Sequence, residues 1–186
     1  MHSPVVLAAV EACAEAGLAT LRFNFRGVGG STGAWDDGRG EQDDVRAALG
    51  GLRERLHPER GRVALAGYSF GAAMAVAVAD AGERLAGLAL IAPPLAVYSG
   101  APTPPSGVDG PVLVVAGSAD TYCPGDALAA FGRALPTATV TVIDGADHFF
   151  STGLPQLSAA LSAWAGTLAR RTSAANVAAS RSRPRG

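Results

Sequence analysis

The chain contains no lysine, and all 15 of its basic residues are arginines. That absence excludes two chemistries: no P-loop lysine can hold a nucleotide phosphate, and no lysine can form a Schiff base. Cysteine is also scarce, with Cys13 and Cys123 the whole supply. Neither belongs to a Cys-x-x-Cys pair or a Cys/His cluster, so the sequence offers no disulfide framework, and a reducing cytoplasm is the expected location. The three histidines, His2, His57 and His148, lack metal-ligand spacing, so no metal and no cofactor is expected. No apolar run reaches about 18 residues and no charged, cleavable leader is present, so no membrane association is expected. The formal net charge is −1, which gives no pull toward nucleic acid or anionic membrane.

What remains is a chain of 186 residues, 48% hydrophobic and 17% charged, the balance of one compact domain with a real core. Pro4 to Gly17 reads as a helix, with Val5, Val6, Ala9, Val10 and Cys13 at helical spacing. Ala19 to Phe25 reads as a strand, with Leu21, Phe23 and Phe25 alternating against Arg22 and Asn24. A glycine-rich loop leads to a helix over Glu41 to Leu56. Short apolar strands are expected at Val63 to Tyr68, Leu85 to Ala92, Pro111 to Ala116 and Ala138 to Ile143. Helices are expected at Phe70 to Ala81, Pro124 to Ala134 and Leu154 to Ala169, and a disordered tail over 171–186. This alternation predicts the α/β class: a mostly parallel sheet with helices on both faces and ligands at the strand C-terminal edge.

Gly67-Tyr68-Ser69-Phe70-Gly71 is a G-x-S-x-G motif placed between a strand and a helix. A serine on such a turn takes a strained backbone, its hydroxyl stands above the sheet edge, and the amide of Phe70 faces a developing oxyanion. The plain alternative is a serine capping a helix in a glycine-rich turn. Asp120 follows the strand ending at Ala116, and His148 follows the strand ending at Ile143. Each has a structural alternative, as a turn cap and as a buried histidine. Together they fall after separate strands in the order Ser, Asp, His. Asp144 and Asp147 compete for the acid role; Asp147 is adjacent to His148 and badly placed to reach its ring, so Asp120 is preferred. A hydroxyl needs a base to take its proton as it attacks, which His148 supplies, and Asp120 would fix the tautomer.

These residues, with Leu21-Arg22-Phe23-Asn24-Phe25-Arg26-Gly27-Val28-Gly29 and Gly40-Glu41-x-x-Asp44, resemble a group of small bacterial α/β-hydrolases related to dienelactone hydrolases and serine aminopeptidases. The resemblance runs from His2 to about Leu168. It implies a triad of Ser69, Asp120 and His148 and cofactor-free acyl hydrolysis. It implies no particular substrate. It also implies an apolar strand and a second oxyanion loop ahead of the segment like Met1 to Val6, the strand lying between those at Ala19–Phe25 and Val63–Tyr68. The expectation drawn from this is a product that starts upstream of Met1, with a truncated, inactive paralogue as the alternative.

Other features have bland readings. Gly27 to Gly33 is a structural loop rather than a phosphate cradle, because its glycines do not follow the G-x-G-x-x-G spacing. Arg26 is expected to pair with a carboxylate, Phe149 and Phe150 to join the core, and Cys123 to be a small buried residue. Pro93 to Gly110, where larger relatives insert a lid, is short and proline-rich, so an open, lidless site for a small ester, thioester or short amide is expected. A non-catalytic member of the same fold, acting as a binding protein, is the rival. Oligomeric state is not legible.

Overall fold

Two strands buried on both faces set the architecture. The computed structural model describes residues 3–56, 62–97 and 107–181, with backbone alone for 175–181. In chain order the elements are α1 (Pro4–Glu15), α2 (Arg39–Arg55), β1 (Leu65–Tyr68), α3 (Phe70–Asp80), β2 (Leu88–Ile91), β3 (Val112–Gly117), α4 (Gly125–Arg133), β4 (Ala138–Ile143) and α5 (Leu154–Arg181). The strands form one parallel sheet in the order β1-β2-β3-β4.

Successive side chains of a strand point to opposite faces, and β2 and β3 supply both cores in this way. Leu88, Leu90, Val112, Val114 and Ala116 pack with α2, α3 and α4. Ala89, Ile91, Leu113 and Val115 pack with α1 and α5, where Leu157, Leu161, Trp164 and Leu168 complete the layer. Trp164 Nε1 donates to the Pro111 carbonyl at 3.0 Å, which fastens α5 to the entrance of β3. A helix-covered parallel sheet requires this continuous apolar pattern, and it is the α/β fold expected from the sequence.

Residues 19–25 differ from expectation. They form no strand, because no strand among the described residues lies beside them to complete a ladder. The described sheet therefore has four strands instead of five. Phe23 and Phe25 still pack against the α2–α3 core, whereas Leu21 is 41% exposed. Among the described residues β1 has a strand partner on one side only, and Ala66 in its middle is exposed. Between the two open edges runs an apolar groove of about 930 Å³, lined by Val6, Val10, Leu21, Phe23, Leu65 and Phe70 among others. This is where the resemblance puts a further strand.

At the other end, α5 runs on to Arg181, where a disordered tail was expected from residue 171. The run after Arg170 is rich in alanine and free of glycine and proline up to Pro184, so helical propensity carries the element past the end of its apolar face. Residues 182–186 lie outside the described residues, as do His2, His57 and positions 98–106 of the expected lidless segment.

Candidate active site

The sheet register brings three loops to one rim: Tyr68 pairs with Ile91, Ile91 with Val115, and Gly117 with Ile143, so β1, β3 and β4 end together. Ser69 follows β1 directly, at φ +52 and ψ −119, a conformation that side chains rarely adopt. The turn is tight enough that a Cβ at Gly67 would lie 2.3 Å from the Gly71 carbonyl oxygen. Gly71 itself has open space around its Cα, so the crowding falls on the first glycine of the motif and not on both. The Ser69 amide donates to the Ile91 carbonyl, and its own carbonyl accepts from Ala72 and Ala73, which locks the turn between β2 and the first turn of α3.

Asp120 and His148 lie on loops that are stitched to each other. Ser118 and Ala119 donate through their amides to Ile143 and Ala146. The Gly117 backbone passes so close to Ala146 that a Cβ would sit 2.0 Å from its carbonyl oxygen. Asp144, one rival for the acid role, accepts from the Ser118 hydroxyl at 3.1 Å. Asp147, the other, accepts from the Phe149 amide and from the Ser151 amide and hydroxyl. Those hydrogen bonds, led by the Ser151 amide, hold its carboxyl below the usual carboxylate range. It works as the clamp of its own loop.

Asp120 faces the histidine. Its Oδ1 accepts from the Tyr122 and Cys123 amides at 2.8 and 3.1 Å. Its Oδ2 lies 2.9 Å from His148 Nδ1, and His148 Nε2 lies 2.8 Å from Ser69 Oγ. A carboxylate can only accept, so Nδ1 carries the imidazole proton and Nε2 is left to accept from the serine hydroxyl. Asp120 and His148 are 4% and 7% exposed, so water competes little for these bonds. The structure thus brings Ser69, His148 and Asp120 into one hydrogen-bonded row. Phe70 opens α3 beside Ser69, and its amide stands at the positive end of that helix.

Aromatic rings surround the row. Tyr122 lies 4.6 Å and Phe149 5.4 Å from the imidazole centroid, and Tyr68 lies 5.7 Å from it. Phe150 is buried as expected, but Phe149 is 65% exposed, a correction to its assignment to the core: its ring meets the histidine edge-on at the rim. Cys123 is buried, and burial together with the Asp120 charge pushes its thiol up to about 12. At the start of the glycine-rich loop Arg26 grips Asp44 through Nε and Nη2, with Nη2 2.8 Å from Oδ1, and its amide donates to the same carboxylate. The Arg26 hydrogen bonds hold the Asp44 carboxyl below its usual range. This clamp sets the glycine-rich loop whose Trp35 ring lies 4.8 Å from that of Phe70, tilted by 51°. Sequence reasoning missed Tyr68 and Tyr122; the available signal was position, immediately before Ser69 and two residues after Asp120. Among the described residues no cluster of His, Cys, Asp or Glu could hold a metal ion, and no helix is long and apolar enough to cross a membrane.

Comparison with known proteins gives this geometry a lineage. The family model described as X-Pro dipeptidyl-peptidase (S15 family) matches residues 2–103, which include Ser69. An uncharacterized protein of Rickettsia prowazekii is 30% identical over 170 residues, covering 87% of this chain and 70% of that protein. An α/β serine hydrolase homologue from Coxiella burnetii is 36% identical with a TM-score of 0.78, over 88% of this chain and 76% of that one. A Xanthomonas campestris protein described as an α/β serine hydrolase without lid is 36% identical with a TM-score of 0.76, over 92% and 74%. The chain belongs to the S15 peptidase family within the α/β-hydrolase superfamily and is a hydrolase of the α/β serine hydrolase type.

Proposed function

We propose that the protein cleaves a small carboxylic ester through an acyl-enzyme on Ser69, with His148 as general base and acid and Asp120 as the group that orients it. The observation that carries this reading is the continuous row Ser69 Oγ–His148 Nε2 at 2.8 Å and His148 Nδ1–Asp120 Oδ2 at 2.9 Å. Ser69 Oγ bonds to the acyl carbon while its proton passes to Nε2. That proton then goes to the departing alcohol as the ester C–O bond breaks. The Asp120 carboxylate stabilises the imidazolium formed in between. The Phe70 amide, at the start of α3, donates to the oxyanion of the tetrahedral intermediate, a contribution of roughly 100- to 1000-fold in rate for one such donor. Water repeats the sequence on the acyl-enzyme and releases the acid. No step draws on a metal or cofactor.

A fluorophosphonate probe tests the serine, and paired substrates test the bond. Labelling is expected in the native protein and lost in Ser69→Ala. p-Nitrophenyl acetate is expected to turn over, and a Gly-Pro p-nitroanilide to turn over far more slowly. Labelling that survives Ser69→Ala overturns the assignment. Preference for the anilide replaces the ester reading with the peptidase activity for which the family is described.

A further inference from the structure

Tyr68 fills the variable position of the G-x-S-x-G motif and is the last residue of β1. Its hydroxyl donates to the backbone carbonyl of His148 at 3.1 Å, and its ring lies 5.7 Å from the imidazole at an interplanar angle of 31°. One residue is therefore joined covalently to Ser69 and by a hydrogen bond to the residue that carries the base. The side chain is half-buried, which shields that bond from water.

We infer that Tyr68 is a positioning residue that keeps His148 in place while Ser69 is acylated. The inference rests on the acyl-enzyme reading above. In the resting protein the imidazole is held at both nitrogens, by Asp120 at Nδ1 and by Ser69 at Nε2. Acylation removes the second hold, because an esterified Oγ has no proton to donate. Deacylation then needs the same ring in the same place. A water oxygen bonds to the acyl carbon as its proton passes to Nε2. The bond from the acyl carbon to Oγ breaks, the proton moves from Nε2 to Oγ, and the carboxylic acid leaves.

Through that half of the cycle the side chain depends on Asp120 and on how firmly the backbone of residue 148 is held. That backbone is braced within its own loop, where the carboxylate of the preceding Asp147 accepts from the Phe149 and Ser151 amides. Tyr68 ties it across the rim to the turn that bears the acyl group. The distance between Nε2 and the acylated serine is then set by a contact that does not take part in the reaction. The gain falls on the second chemical step more than on the first.

Rapid-quench mass spectrometry of the full chain with p-nitrophenyl acetate tests this, following appearance and decay of the acetyl adduct on Ser69. In Tyr68→Phe, which keeps the ring and loses the hydroxyl, adduct decay is expected to slow roughly 3- to 10-fold, the scale of one shielded hydrogen bond. Adduct formation is expected to stay within about twofold, since Ser69 itself still holds the ring in that step. Tyr68→Leu, which also removes the ring contact, is expected to slow decay at least as much. Equal slowing of both steps marks a merely structural role and overturns the inference, as does unchanged decay in Tyr68→Phe. Failure of the native protein to form any adduct overturns the acyl-enzyme reading itself, a result visible before any variant is compared.

Discussion

Asp44 shows how a single residue outside the row reaches it. Its carboxylate takes the Arg26 guanidinium and amide together, and Arg26 begins the loop that brings the Trp35 ring against that of Phe70. The bonds from Arg26 hold the carboxyl below the usual value of 3.8. A depressed carboxyl contributes stability that is present above the unfolded-state pKa and lost as pH falls through the folded one. The native protein is therefore expected to lose urea stability from about pH 4 downward, and Asp44→Asn to show a shallower loss over the same range. Urea midpoints at pH 3, 4, 5 and 7 check this, and identical slopes would contradict it. At this scale the sequence was informative about Ser69, Asp120 and His148, whose positions after strands could be read directly. Tyr68 and Tyr122 were marked by position alone, because their part depends on ring contacts formed only when separate loops meet.

At the scale of elements, β2 and β3 were legible because an unbroken apolar run between turn signals has few other uses. Their ends shifted by a few residues, as at Leu88–Ile91, where pairing rather than composition fixes the limits. Residues 19–25 were not legible in the same way. Their alternation is that of a strand, but a strand is defined by a neighbour, and the described residues supply none. The end of α5 also escaped, since propensity can continue a helix after its buried stripe stops. That stripe carries the element: Leu157 and Leu161 are fully buried against β3 and α1. Leu161→Ala is expected to cost about 2–5 kcal/mol through lost burial and an incompletely filled cavity. A fall in the urea midpoint with unchanged slope would show it, and a cost under about 1 kcal/mol would place α5 outside the cooperative core.

Seen as a whole, the molecule uses a parallel sheet to deliver three loops to one edge, and the cross-links between loops make that edge stiff. Ser118 and Ala119 bind the β3 loop to the β4 loop, and Tyr68 binds the β1 turn to the β4 loop. The other flank of β1 is its opposite: an apolar groove bordered by two open edges and reaching Ser69. The fold class followed from alternation and the row from the order of its members, whereas the groove became visible only in three dimensions. The proposed chemistry requires Ser69, His148 and Asp120 to act as one unit. The most direct measurement is kcat for p-nitrophenyl acetate in Ser69→Ala, in His148→Ala and in the variant lacking all three side chains. Members of one unit are not additive, so the triple variant is expected to be no slower than Ser69→Ala within about threefold. Losses that multiply from one variant to the next, or a Ser69→Ala protein that keeps most of its rate, would contradict the account.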